Sequence, residues 1–171
     1  HQREPGQKGS GGGAETHMAS DGREWHGRNC GLGEHGEIAG GTEANALALT
    51  PSATRAGDKA PLERLLMSAI ERPSVRAGGR FPAAAHSDIP VTMQGVVDLA
   101  ALKDMLAKSV SVGGRALVSI MLANNETGVI QPVREAANLV HEAGGLLHVE
   151  AVQGPGRMEL DMMALGADLL T

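Results

Sequence analysis

Aromatic residues are almost missing from this chain: 171 residues contain no Tyr, one Phe and one Trp. That removes the stacking platforms of a single-strand nucleic-acid groove, and it argues against an aromatic-rich β-sandwich core. Charge of one sign is also lacking. Fifteen Lys and Arg stand against 20 Asp and Glu, a formal net charge of −5 with the two signs interspersed, so no basic stripe invites a phosphate backbone. The single cysteine, Cys30, excludes an internal disulfide framework and fits a reducing compartment, which predicts a cytoplasmic location. No run is long and apolar enough to span a membrane, and the polar beginning is unlike a secretory signal. Neither nucleic acid nor membrane is expected as a partner.

What is present is aliphatic. Hydrophobic residues make up 42% of the chain, enough for one domain whose core is Leu, Val, Ile, Ala and Met. They are unevenly spread. Of the 24 glycines, 12 fall in residues 1–41, a stretch with no Val and no periodicity. Residues 1–39 are therefore expected to be disordered or non-native, as a shifted reading frame would produce. The chain opens on His1 rather than Met, which suggests processing, a tag or a fragment.

From Gly40 the pattern changes. Gly40-Gly41, then Thr42 as N-cap and Glu43 in the first turn, predict a helix over residues 42–49. Apolar runs predict strands at 65–70, 89–93, 116–122, 146–149 and 167–170. Pro73 opens a short helix that Gly78-Gly79 ends. Asp98 caps a helix with Leu99, Leu102, Met105 and Leu106 on one face, and Pro132 starts another with Val133, Ala136, Ala137 and Val140. Gly113-Gly114 and Gly144-Gly145 are turns, and residues 161–165 supply one or two helical turns. The run 116–122 has no polar alternation, as expected of a strand buried on both faces. Strand–helix–strand repetition predicts an α/β fold, a parallel-rich sheet with flanking helices.

Ligands of such sheets bind beyond the carboxyl ends of the strands. Asn124, Asn125 and Glu126 follow one strand there; Glu150 and Gln153 follow the next. A carboxylate there can pair with a protonated ring nitrogen, and amides can bond a phenolic oxygen. Gly41 and Thr42 add a helix N-terminus, where free N–H groups and the dipole favour a phosphate. Asn124 and Glu126 read better as a turn former and a loop charge. Gly31-Leu32-Gly33-Glu34-His35-Gly36 matches G-x-G-x-x-G, but no strand precedes it, and it is rejected as a dinucleotide fingerprint. His17, His26, His35, His86 and His141 show no ligand spacing and His148 is expected at the sheet edge, so no metal is expected.

Four motifs carry a family likeness. Val118-Ser119-Ile120-Met121-Leu122-Ala123-Asn124-Asn125-Glu126-Thr127-Gly128 and His148-Val149-Glu150-Ala151-Val152-Gln153 closely resemble cysteine desulfurases, pyridoxal-phosphate enzymes of the class V aminotransferase group with the type I fold. Gly40-Gly41-Thr42-Glu43-Ala44-Asn45 resembles the family's phosphate-binding turn, and Ser68-Ala69-Ile70-Glu71-Arg72-Pro73-Ser74-Val75 its ring-stacking segment. The resemblance spans roughly residues 40–171 and implies a partial large domain of a type I pyridoxal-phosphate enzyme. It implies pyridoxal 5'-phosphate as cofactor. Gly41 and Thr42 would hold its phosphate, Asn125 and Gln153 would contact the ring-hydroxyl side, Glu150 would pair with the pyridine nitrogen, and Arg72 would stack on the ring. It further implies L-cysteine as substrate, with alanine and an enzyme persulfide as products. A sulfur-acceptor or scaffold protein and a homodimer complete the implied partners.

The chain departs from the family in places. The family has Asp where this chain has Glu150, and His where it has Arg72; a guanidinium stacks but does not exchange a proton near neutral pH. The residues before Gly40 include no apolar strand, and Cys30 reads as an incidental thiol. The family's Schiff-base lysine lies in a Ser/His-rich turn beyond the strand begun at Ala167, past Thr171; its mobile cysteine lies later still. Lys103 and Lys108 read as the polar face of a helix. The expectation is thus of no catalytic residue in this chain and no activity by itself. The alternatives are a non-catalytic remnant, or another class V enzyme such as a selenocysteine lyase or an aminotransferase.

Overall fold

The structure is a computed structural model that describes residues 40–55, 58 and 60–171. The expectations for residues 1–39, Cys30 included, lie outside the described residues. In chain order the elements are α1 (Gly41–Ala48), β1 (Arg64–Ser68), α2 (Pro73–Arg76), a 3-10 turn (Ala83–Ala85), β2 (His86–Ile89), α3 (Leu99–Ser111), β3 (Ala116–Met121), α4 (Val133–Glu142), β4 (Leu146–Glu150), α5 (Met162–Leu165) and β5 (Leu169–Leu170). The strands form one sheet in the order β2-β1-β3-β4-β5, with every pairing parallel.

All six residues of β3 are buried, as are all five of β4. Their alternation divides the core between two faces. Val118, Ile120, Leu147 and Val149 pack with Leu102 and Leu106 of α3 and with Val133, Ala136, Ala137 and Val140 of α4. On the opposite face Leu65, Met67, Leu117 and Leu146 pack with Val75 of α2 and with Leu49, just past α1. Helices therefore cover both faces, as an all-parallel sheet requires.

The punctuation follows local chemistry. Asp98 Oδ1 accepts the N–H groups of Ala100 and Ala101 at 3.0 Å, capping α3, and Asp161 does the same for α5. Pro73 occupies the first turn of α2. After α4, Gly144 takes φ 70°, and a Cβ on Gly145 would meet the Ala116 carbonyl at 2.7 Å, so this corner accepts only glycine as it stands.

Two expectations need correction. The strand expected at 89–93 lies earlier, at His86–Ile89. Pro90 has no N–H to continue the ladder, and Val91 instead bridges Val97 across a small loop. Thr42 is not the N-cap of α1. Gly40 is, its carbonyl accepting the Ala44 N–H at 3.0 Å, which draws the start of the helix back to Gly41.

β5 is short, and a buried carboxylate secures its approach. Asp168 accepts from Leu147 N–H at 2.7 Å, Arg55 Nε at 2.6 Å and His141 Nε2 at 3.0 Å. Burial raises its pKa, but these donors outweigh that and hold it below the usual carboxylate value. In denaturant unfolding, Ile120→Ala is expected to cost about 3–4 kcal/mol, because β3 has packing on both faces. Asp98→Ala should cost only about 1 kcal/mol, the worth of a cap.

Candidate functional site

The chain leaves β1 toward β2 on one side, then crosses to β3 on the other. The strand order thus reverses between β1 and β3, the switch point at which open α/β sheets have their ligand crevice, beyond the carboxyl ends of the strands. Glu71 stands at that point. It follows β1 and is 5% exposed. Its Oε1 accepts from Ser68 Oγ at 2.9 Å and from the Met121 N–H of β3 at 2.6 Å, bridging the two strands where they part. Its Oε2 is buried without a partner among the described residues.

Glu150 ends β4, opposite Met121 in register. It is 3% exposed. Oε1 turns back to accept the Val152 N–H at 3.1 Å, and Oε2 is buried with no partner among the described residues. Burial raises the Glu150 pKa, against the opposing effects of the Val152 N–H and the Arg72 charge. Arg72, half-buried and extended ahead of α2, is therefore near enough to act on Glu150 electrostatically. Burial likewise pushes Glu71 from 4.5 up to about 7, with the Glu150 charge adding to the rise and the Ser68 and Met121 bonds opposing it.

The other expected residues are placed less closely. Asn124 Oδ1 accepts from the N–H groups of Glu126 and Thr127 at 2.9 and 3.0 Å, so it is the turn former it was read as. Asn125 is exposed on that turn. Gln153 is half-buried, its Oε1 taken by Arg157 Nη1 at 3.2 Å. Among the described residues no hydrogen bond joins Asn125, Gln153 and Glu150. Gly41 and Thr42 are exposed at the start of α1. Gly40 offers no side-chain cap, and among the described residues a Cβ on Gly41 would meet nothing within 4 Å, while the first-turn N–H groups have no intrahelical partner.

Sequence reasoning missed Glu71. Its signal was the Ser68-x-x-Glu71 spacing after an apolar strand, which lets the serine hydroxyl reach the carboxylate. His148 also differs from expectation. It is fully buried on β4, between β3 and β5, not at an edge. Burial pushes its pKa down to about 4.

Comparisons with known proteins agree with this architecture. Residues 38–171 match the family described as Aminotransferase class-V. A cysteine desulfurase of Sinorhizobium fredii is 35% identical over 144 residues, covering 78% of this chain and 33% of that protein. A protein named cysteine desulfurase IscS 1 from Archaeoglobus fulgidus is 34% identical over 146 residues, covering 84% and 36%. The X-ray structure of a NifS-like protein from Rickettsia africae superposes with a TM-score of 0.61 at 31% identity, over 75% of this chain and 33% of that one. The chain spans about a third of the length of the curated relatives it matches.

Glu71 gives a pH test. Its folded pKa lies above the unfolded one, so the folded state keeps a proton that the unfolded chain has released. That stabilisation is complete below pH 4.5 and is lost as pH rises through about 7. Glu71→Gln keeps an acceptor for Ser68 and Met121 and cannot ionise. It should match the parent at about pH 4 and exceed it by about 3 kcal/mol at pH 8 in denaturant unfolding. Parallel pH profiles for the two proteins would contradict this.

Proposed function

Because the chain belongs to the class V aminotransferase family, we propose that it carries binding groups for the phosphate and ring of pyridoxal 5'-phosphate, in a protein that acts as a cysteine desulfurase. The observation that carries this reading is Glu150. A buried carboxylate oxygen with no partner, at the carboxyl end of a central parallel strand, is a costly arrangement unless a donor comes to it. A protonated pyridine nitrogen is such a donor. The open N-terminus of α1 fits the phosphate as the second half of the same ligand.

Under this reading Glu150 holds the proton on the ring nitrogen, and the α1 amides at Gly41 and Thr42 hold the phosphate. Asn125 and Gln153 offer amides toward the ring hydroxyl. Arg72 would offer its planar guanidinium to a ring face. When bound, the cofactor supplies an electron sink for the amino-acid substrate. The proposed reaction would break the carbon–sulfur bond of L-cysteine as a cysteine thiol of the whole enzyme takes the sulfur and gives up its proton, so that L-cysteine and the thiol become alanine and an enzyme persulfide. A sulfur-acceptor or scaffold protein of iron–sulfur assembly would receive the sulfur, and a cytoplasmic homodimer is part of the same proposal. Relatives named cysteine desulfurase support this branch over a selenocysteine lyase or an aminotransferase.

The lysines among the described residues, Lys103 and Lys108, are exposed on α3, which packs on a face of the sheet rather than at its carboxyl edge. We therefore propose that the 171-residue chain by itself binds the cofactor without a covalent link and is inactive. Absorbance titration with pyridoxal 5'-phosphate should saturate, and Glu150→Gln should weaken the binding about tenfold, the worth of one charge-assisted bond. Borohydride treatment should fix no specific lysine, and L-cysteine should yield no alanine. Failure to saturate would remove the binding site; a reduced adduct on any one of the chain's lysines, Lys8, Lys59, Lys103 or Lys108, would overturn the non-covalent reading.

A further inference from the structure

Five polar side chains with no role above form one hydrogen-bonded line across the sheet and the helices beside it. Ser119 Oγ lies 2.8 Å from His148 Nδ1, and His148 Nε2 lies 3.0 Å from Thr171 Oγ1. The Thr171 hydroxyl donates to Asn45 Oδ1 at 2.6 Å, and Asn45 Nδ2 donates to Ser74 Oγ at 2.9 Å. The line thus starts on β3, crosses β4, reaches the residue after β5, and ends on α1 and α2.

With the Asn45 amide placed as it is, with Nδ2 toward Ser74 and Oδ1 toward Thr171, the proton directions follow. Asn45 Oδ1 can only accept, so the one hydroxyl proton of Thr171 is spent on it. Thr171 Oγ1 must then accept from His148 Nε2–H. A neutral imidazole has one N–H, so Nδ1 is bare and accepts from the Ser119 hydroxyl. Burial keeps the ring neutral, and both ring nitrogens are satisfied at a fully buried position.

The end of the line matters because of what holds α1. Asn45 is the buried residue of this eight-residue helix, and helices so short have little stability of their own. Leu49 anchors the chain just past the helix. Ahead of it, the buried anchor is Asn45, gripped from one side by Thr171 and on the other by Ser74. We infer that His148 and Thr171 are positioning residues for the α1 N-terminus: they orient Asn45, which sets Gly41 and Thr42 against the carboxyl edge of the sheet. The inference rests on the reading of α1 as the phosphate-binding turn.

Three readouts on the 171-residue chain test it: the His148 tautomer by ring 15N NMR at pH 7, amide hydrogen exchange in α1, and affinity for pyridoxal 5'-phosphate. The parent should show the Nε2–H tautomer. Thr171→Val removes the acceptor of His148 and the donor to Asn45. It should move His148 toward the Nδ1–H tautomer, speed exchange in α1 about tenfold and weaken the ligand about fivefold or more. Thr171→Ser should restore all three, and Ser119→Ala should leave α1 exchange at the parent rate. Thr171→Ala replaces the valine variant if that does not fold. An Nδ1–H tautomer in the parent, or unchanged α1 exchange in Thr171→Val, overturns the inference. If tautomer and exchange behave as expected while the parent binds no pyridoxal 5'-phosphate, the positioning of α1 stands and the cofactor reading falls.

Discussion

The parallel pairing of β3 with β1 on one side and β4 on the other constrains everything else. Parallel strands point their carboxyl ends the same way, so whatever follows β1, β3 and β4 meets at one edge. β3 is buried on both faces, and each connection must return over a face rather than turn tightly. The helices are where they are because the return paths must cover apolar surface. The crevice exists because the chain went to β2 before it went to β3.

Burial at that edge sets the chemistry. Two carboxylates, Glu71 and Glu150, lose most of their water, and both are pushed toward the neutral form. Their environments still differ. Glu71 is held between strands by a serine hydroxyl and a backbone N–H, while Glu150 has a single short-range backbone bond and the Arg72 charge nearby. Glu71 is thus suited to bracing the crevice, and Glu150 to meeting a cationic ligand. The same low dielectric keeps His148 neutral and makes its two hydrogen bonds directional.

Much of the fold was legible from residue pattern. The helix faces of α3 and α4, the Asp98 cap, the Pro73 start and the all-buried β3 were each expected and found, because local sterics and burial periodicity dictate them. The misplacement of β2 came from weighting apolar content over Pro90, whose missing N–H ended the ladder. The shift of the N-cap from Thr42 to Gly40 came from favouring a side-chain cap where backbone closure sufficed.

The site divides in the same way. Residue order alone put Glu150, Gln153 and the Asn124–Glu126 turn after strands and Gly41 and Thr42 at a helix start, since these are local properties, and the motif likeness added Arg72. Residue order did not reveal that Glu71 joins β1 to β3 across 50 residues, or that Thr171 reaches Asn45 across 126. Those bonds depend on which strands become neighbours and on how far each carboxyl end projects. Pairing and projection are settled only when the sheet closes around a shared core, and no local pattern carries that information. The sequence by itself determined the elements and the edge they would point to; the tertiary structure decided which polar groups at that edge hold each other, and which carboxylate oxygens, of Glu71 and Glu150, stay unpaired among the described residues.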